Sequence, residues 1–375
     1  MYPRILFKTI QNQIGKGKLI VVYGARQVGK TTLVKQILSE FKGESKYIDC
    51  DLLSNREVLQ SEDLNILGKL VGKYRLIVID EAQRVKNIGL GLKILHDNFP
   101  DLQVIATGSA SFDLANKIQE PLTGRVLAYT LYPLSIAEIS GKLDYFDLKN
   151  KLDNILKYGL YPDIFDKLEN IELNLEMISS NYLYKDILEF ENIKKSDQLV
   201  KILQLLALQI GSEVSFSEIG QKLGLNTVTV QKYIDLLEKS FVIYRLKSFS
   251  RNLRNEITRG QKIYFWDLGI RNSLIRNFND KDLRTDWGNL FENFWIIERL
   301  KQNSYNLKFV NSYFWRTHAQ DEIDYIEESK GKLHAYEIKW QKSKTRQISQ
   351  FFQAYPETEW AIINQDNCLD SLIKP

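Results

Sequence analysis

Cysteine is nearly absent from this chain of 375 residues. The two that occur, Cys50 and Cys368, are too few for a disulfide framework or a cysteine metal centre, and three scattered histidines add no ligand cluster. Structural zinc is therefore not expected. Long apolar runs are also missing. No stretch approaches the roughly 20 residues that span a bilayer, and the N-terminal Met1-Tyr2-Pro3-Arg4-Ile5-Leu6-Phe7-Lys8 lacks the apolar segment of a secretory signal. A cytoplasmic protein with no membrane partner is expected. A strong charge of one sign is absent too: 51 basic residues stand against 47 acidic ones, a net charge of +4, which permits nucleic-acid binding without arguing for it. There is no internal repeat and no low-complexity linker. What remains is an ordinary globular composition, 44% hydrophobic and 26% charged, at a length that predicts two or three domains.

Within that composition one segment has a definite chemistry. Gly24-Ala25-Arg26-Gln27-Val28-Gly29-Lys30-Thr31 fills every place of the pattern G-x-x-x-x-G-K-[ST] and directly follows the apolar run Leu19 to Tyr23. Glycines let backbone N–H groups close around phosphates, Lys30 supplies a fixed positive charge, and Thr31 offers a hydroxyl to magnesium. Leu33, Val34, Ile37 and Leu38 give the following segment the apolar stripe of a helix. ATP and Mg2+ are the expected ligands, with Gly24 to Thr32 as the nucleotide-binding residues.

Leu76-Ile77-Val78-Ile79-Asp80-Glu81 is a β-branched run ending in two carboxylates, as a buried parallel strand would deliver them to the C-terminal edge of a sheet. Asp80 is expected to hold magnesium and Glu81 to orient and deprotonate the attacking water. A further apolar strand, Leu102 to Ala106, runs into Thr107-Gly108-Ser109-Ala110-Ser111. Either Thr107 or Ser109 could sense the γ-phosphate there, or the hydroxyls could cap a following helix. Leu122-Thr123-Gly124-Arg125-Val126 then presents Arg125. That arginine stabilises transition-state charge, in its own site or a neighbour's, or is a solvated loop residue.

At this point the chain resembles a bacterial and archaeal family of AAA+ ATPases in which a P-loop module precedes a C-terminal domain of unknown function. The resemblance rests on Gly24 to Thr32, Ile79-Asp80-Glu81-Ala82-Gln83, Thr107-Gly108-Ser109, Leu122-Thr123-Gly124-Arg125 and Leu131-Tyr132-Pro133-Leu134-Ser135. It implies ATP hydrolysis, with Lys30, Thr31, Asp80, Glu81 and Arg125 in the corresponding roles, and admits a homo-oligomer in which Arg125 acts across a ring. No residue matches the second sensor arginine of many such lids.

From Ile136 to about Glu191 the pattern is helical, with a break at Tyr158-Gly159-Leu160-Tyr161-Pro162-Asp163, and a helical lid is the simplest assignment. Helices then follow from Gln198 to Ile210, Ser215 to Leu223 and Asn226 to Lys239, with the turn Gly224-Leu225 giving helix-turn-helix spacing. Two β-rich segments, Phe241 to Leu246 and Lys262 to Trp266, complete a winged-helix pattern. In the third helix Val228, Val230, Ile234 and Leu237 are expected on the core face, leaving Asn226, Thr227, Thr229, Gln231 and Lys232 for DNA. Between Phe241 and Phe265 the basic residues Arg245, Lys247, Arg251, Arg254, Arg259 and Lys262 face a single acid, Glu256. Such a run can lie along phosphates or form a solvated face. DNA is one expected partner and a docked protein the alternative.

Near the C-terminus, Glu322 to Ile326 and Ala335 to Trp340 read as two strands joined by a polar turn from Glu327 to Lys332. Alternation places Glu337 and Lys339 on one face, where a hairpin can bring Asp324 beside them. Glu292 sits among large apolar residues of a helix upstream. This order resembles the PD-(D/E)XK nuclease fold. The resemblance implies Glu292, Asp324 and Glu337 as metal ligands, with Asp324, Glu337 and Lys339 catalytic; a charged solvent face is the alternative from spacing alone. The expected fold is thus α/β: a P-loop AAA+ three-layer sandwich (1–135), a helical lid (136–192), a winged helix (193–280) and a restriction-endonuclease-like α/β domain (281–375).

Overall fold

Five parallel strands in the order β2-β3-β4-β1-β5 form the first sheet: β1 Leu19–Tyr23, β2 Ser45–Asp49, β3 Leu76–Asp80, β4 Gln103–Gly108 and β5 Val126–Thr130. In this computed structural model the described residues are 2–108, 122–165, 169–183, 196–250, 260–317, 321–342 and 349–373. β1, β3 and β4 are buried along their whole length, which is why they read as mainly apolar runs and not as alternating ones. Helices Lys30–Glu40, Leu64–Val71 and Ile88–Asn98 bring Leu33, Val34, Leu67, Leu92 and Leu95 to the interior of this unit. Met1–Pro133, with Lys239–Phe241, cluster as one compact unit.

The second unit, Leu134–Glu238 with Val242–Pro375, is built on a six-stranded mixed sheet in the order β11-β10-β9-β8-β6-β7. Its strands are β6 Ile243–Ser248, β7 Gln261–Phe265, β8 Asn311–Arg316, β9 Glu322–Ser329, β10 Lys332–Ile338 and β11 Glu359–Ile363. β6 and β7 are the two segments expected as a wing, and they do pair antiparallel. β6 also pairs in parallel with β8, so one sheet runs across the boundary expected at 280. The long helix Trp287–Tyr305 is locked to β7 by Asn293, whose side chain accepts from the Phe265 N–H (2.7 Å) and donates to the Phe265 carbonyl (2.9 Å). Backbone groups at the strand end are thereby satisfied in the interior.

Helices Ser196–Leu208, Phe216–Leu223 and Thr227–Lys239 fall close to their expected spans. Val228 departs from expectation, being 67% exposed and not in the core. It sits in the first turn of its helix, and burial begins two residues later with Val230 and continues with Ile234 and Leu237. The C-terminal hairpin also differs. Its turn is only Lys330 and Gly331, both with positive φ (51° and 80°), as a two-residue hairpin turn requires. Glu327, expected in a turn, is therefore a strand residue, buried and held by Arg299 (2.7 Å) and Asn303 (2.6 Å).

Candidate functional site

The C-terminal ends of β1, β3 and β4 meet at one edge of the parallel sheet, and the phosphate-loop residues are delivered there. Gly24 leaves β1 so close to the next segment that a Cβ would lie 2.2 Å from the Leu131 carbonyl oxygen. Gly29, at φ 98°, caps the helix that begins with Lys30. Lys30 is buried and donates to the carbonyls of Gly24 (2.9 Å) and Ala25 (2.8 Å), so its ammonium lies inside the curve of its own loop. The Gln27 side-chain oxygen is buried there without a hydrogen-bond partner. Arg4 braces the loop from outside the motif: its buried guanidinium donates to the carbonyls of Val28 (2.7 Å) and Tyr132 (2.6 Å).

Asp80 is the hub of the site. Its carboxylate accepts from Thr31 (2.7 Å), from Tyr47 (2.6 Å) and from Thr107. Thr107 is fully buried and also accepts from the backbone N–H of Glu81 (3.3 Å). Glu81 takes a left-handed conformation (φ 54°) and its carboxylate is held by Gln83. Of the two expected sensors, then, Thr107 is joined to both acids, while Ser109 lies outside the described residues. Tyr47 was missed by sequence reasoning. Its only signal is its place on β2, two residues before Asp49, which pairs in register with Asp80. Burial raises its phenol well above its ordinary range, and the Asp80 carboxylate adds to that, so it remains a hydrogen-bond donor. Burial likewise pushes the Cys50 thiol up to about 12, helped by Asp49 and Asp80, which leaves it unreactive. Side-by-side hydroxyl and carboxylate oxygens on Thr31 and Asp80 suit a hard cation, so the residues present fit magnesium.

Arg125 is not part of this cluster. It precedes β5, and its carbonyl accepts from the N–H of Leu19, the first residue of β1, so it stands at the N-terminal edge of the sheet. The phosphate loop leaves the opposite edge, about 13 Å away at the rise of a strand. Its guanidinium pairs with Asp97 (2.9 Å), and the His96 and Arg125 side chains hold that carboxyl below its usual range. Strand direction thus puts Arg125 at the sheet edge opposite its own chain's phosphate loop.

In the second unit the expected acids are close in space but held by lysines. Lys339 bonds to Asp324 (3.2 Å) and Glu337 (2.8 Å), and Asp324 also accepts from the Ile338 N–H (2.8 Å). Glu292 accepts from Tyr264 (2.6 Å) and from Lys262 (3.1 Å), an almost fully buried lysine that also pairs with Glu322. Burial raises the Glu292 carboxyl well above its usual range, against the pull of Lys262. Glu337 is raised by burial and by Asp324, with Lys339 opposing. Among the described residues no three carboxylate, histidine or cysteine side chains converge on a point that would hold a metal. The three residues expected as a ligand set are thus each paired with a lysine, Glu292 with Lys262 and both Asp324 and Glu337 with Lys339.

The basic run is also partly consumed. Arg245 pairs with Asp235 (2.7 Å) and Glu238, Lys262 is buried, and Lys247 is exposed, while Arg251, Arg254 and Arg259 lie outside the described residues. On the third helix Asn226, Thr227 and Lys232 are exposed, and Thr229 and Gln231 are half-buried.

The parallel sheet and the phosphate loop define a P-loop nucleotide-binding domain of the ATPase type. Residues 16–140 match the family model described as an AAA domain, so this part of the chain is a P-loop, AAA-type domain. Residues 149–281 and 287–367 match two models described as domains of unknown function, DUF8612 and DUF4143. The chain is similar to an uncharacterized protein of Mycobacterium tuberculosis, 25% identical over 347 residues, covering 91% of this chain and 74% of that one. An uncharacterized protein of Methanocaldococcus jannaschii is 25% identical over 346 residues, covering 80% and 72%. Among solved structures, a Walker-type ATPase of Pyrococcus abyssi aligns over 73% of this chain and 96% of its own, with 18% identity and a TM-score of 0.48. No helix of the described residues is long and apolar enough to cross a membrane.

Proposed function

We propose that this chain is a magnesium-dependent ATPase whose nucleotide state gates a DNA-binding C-terminal region. The observation that carries the hydrolytic half is the convergence of Thr31, Tyr47 and Thr107 on Asp80, with Glu81 next in sequence and Lys30 inside the loop. Backbone N–H groups at the start of the helix Lys30–Glu40 and the Lys30 ammonium bind the phosphates. Thr31 and Asp80 hold magnesium, which when bound neutralises phosphate charge. Glu81 accepts the proton of the attacking water, and Thr107 keeps Asp80 and the Glu81 backbone in register as charge shifts. Lys30→Ala is expected to lose nucleotide binding. Glu81→Gln is expected to bind ATP but lose turnover by about 10²-fold or more. Normal hydrolysis in both variants refutes the assignment.

DNA action is supported by the order of three helices and a hairpin from Ser196 to Phe265, with the isolated bridge between Glu213 and Lys262 in the place of a first wing strand, and by the basic run. The order helix, three strands, helix, strand from Trp287 to Ile363 supports the restriction-endonuclease-like arrangement. Salt-dependent DNA affinity should fall when Arg251 and Arg254 are neutralised. A second function, an ATP-driven switch that docks a protein partner and does not cut, is favoured by the internal pairing of Arg245 and Lys262. Unchanged affinity in the arginine variants selects it. Comparing wild type with Glu337→Ala on single- and double-stranded DNA, with magnesium or manganese and with or without ATP, tests cleavage directly.

A further inference from the structure

Four carboxylates of the second unit, Glu292, Glu322, Asp324 and Glu337, lie among three cations. Lys262 pairs with Glu292 and Glu322, Arg316 with Glu322 (3.5 Å), and Lys339 with Asp324 and Glu337. Lys262 stands apart from the other two cations because its side chain is only 1% exposed, whereas Arg316 and Lys339 reach solvent. It enters from β7, a strand outside the hairpin that carries Asp324 and Glu337, and its ammonium also lies 5.6 Å from the centre of the Phe314 ring. A lysine is buried this deeply only when its charge is matched, and here acids from the helix Trp287–Tyr305 and from β9 match it.

We propose that Lys262 occupies the place of a divalent cation in this acid cluster, so that the C-terminal domain excludes metal and uses its carboxylates to anchor the hairpin β6–β7. The spacing agrees: an ammonium holds oxygens at hydrogen-bond distance, whereas magnesium or manganese needs them at about 2.1 Å. Charge agrees as well. Three cations already offset all but about one of the four acid charges, so a divalent ion would have to compete with cations held in place. Admitting one would require Lys262 to leave, and its buried stem would leave a void behind. This inference does not rest on the ATPase assignment, which concerns other residues.

The test is manganese binding by the full chain, without nucleotide and with Asp80→Asn to silence the phosphate-loop site, followed by electron paramagnetic resonance and calorimetry. In that background no saturable manganese binding is expected. Adding Lys262→Met keeps the apolar stem and removes the charge. It should create a site with a Kd of roughly 0.1–1 mM, the weak end of carboxylate sites, that is lost again with Asp324→Asn. ATP turnover in the Lys262→Met variant of the otherwise native chain should stay at the wild-type value. Manganese binding with Lys262 in place, if abolished by Asp324→Asn or Glu337→Gln, overturns the proposal. So does a folded Lys262→Met protein that binds no manganese, since there would be no site for the lysine to fill. Should that variant fail to fold, the titration with Lys262 present still decides.

Discussion

Replacing Thr107 by valine removes one hydroxyl and leaves the shape of the side chain nearly unchanged. That hydroxyl donates to the Asp80 carboxylate and accepts from the Glu81 N–H at 3.3 Å, in a position closed to solvent. A hydrogen bond to a charged group contributes about 1.5–3 kcal/mol, and the long bond from Glu81 adds a few tenths. Water cannot replace either bond in a fully buried strand, so Thr107→Val should destabilise the N-terminal domain by about 2 kcal/mol. If Thr107 aligns Asp80 and Glu81 for hydrolysis, a similar amount appears in the barrier, and kcat falls about 10- to 100-fold. Nucleotide affinity should change less than threefold, because Lys30 and the phosphate loop are untouched. Steady-state ATPase kinetics and nucleotide titration of the same preparation separate the two effects, with Thr107→Ser as the control that keeps the hydroxyl. A folded Thr107→Val protein with kcat within about twofold of wild type refutes the alignment role, and the residue is then only a strand partner.

Arg4→Met removes two charge-assisted bonds that hold the carbonyls of Val28 and Tyr132. The KM for ATP should rise about tenfold with little change in kcat, and an unaltered KM shows that the phosphate loop holds its shape without the brace. Arg125→Ala, assayed where the chain is monomeric, should keep turnover within about twofold, since Arg125 stands at the sheet edge opposite the loop; a larger loss contradicts the strand direction. Asp286 gives a pH test. Burial would raise its carboxyl, but the guanidinium groups of Arg284 (2.8 Å) and Arg271 (2.6 Å) outweigh that and bring it down to about 2. The folded state therefore binds this proton less readily than the unfolded chain. The stabilisation, about 2 kcal/mol, is complete above pH 4 and is lost as pH falls through 2. Denaturant unfolding between pH 5 and 2 should show a shallower decline in Asp286→Asn than in wild type, and equal slopes refute the assignment.

The phosphate loop and its partner acids were legible because their chemistry is contiguous in sequence. A glycine turn, one lysine and one hydroxyl occupy fixed places, and the apolar runs around them announce a buried parallel sheet. What could not be read was the order and direction of the strands. Tyr47 becomes a partner of Asp80 only because β2 lies beside β3, and nothing near Tyr47 in sequence specifies that neighbour. Arg125 follows a glycine in a loop, as a catalytic arginine would, yet a parallel β5 puts the residue before its first strand position at the edge away from the loop. The same sequence feature would serve its own nucleotide if the strand ran the other way.

The C-terminal cluster shows the opposite limit, where the residues were found and their chemistry was not. Glu292, Asp324, Glu337 and Lys339 do gather on one sheet and its covering helix, as alternation and order suggest. Their surroundings include Lys262, paired with Glu292 and Glu322, which belongs to a hairpin encoded earlier in the chain and reads in sequence as part of a basic run for DNA. Once folded, that lysine is inaccessible to phosphate and neutralises acids that would otherwise recruit metal. Arg245 is withdrawn in the same way by Asp235 and Glu238 on the preceding helix. Counting charges along a sequence therefore overstates both basic and acidic surfaces wherever two such runs fold against each other. The DNA-binding and metal-binding expectations are coupled for that reason: Lys262 removes a positive charge from one and fills the cation place of the other.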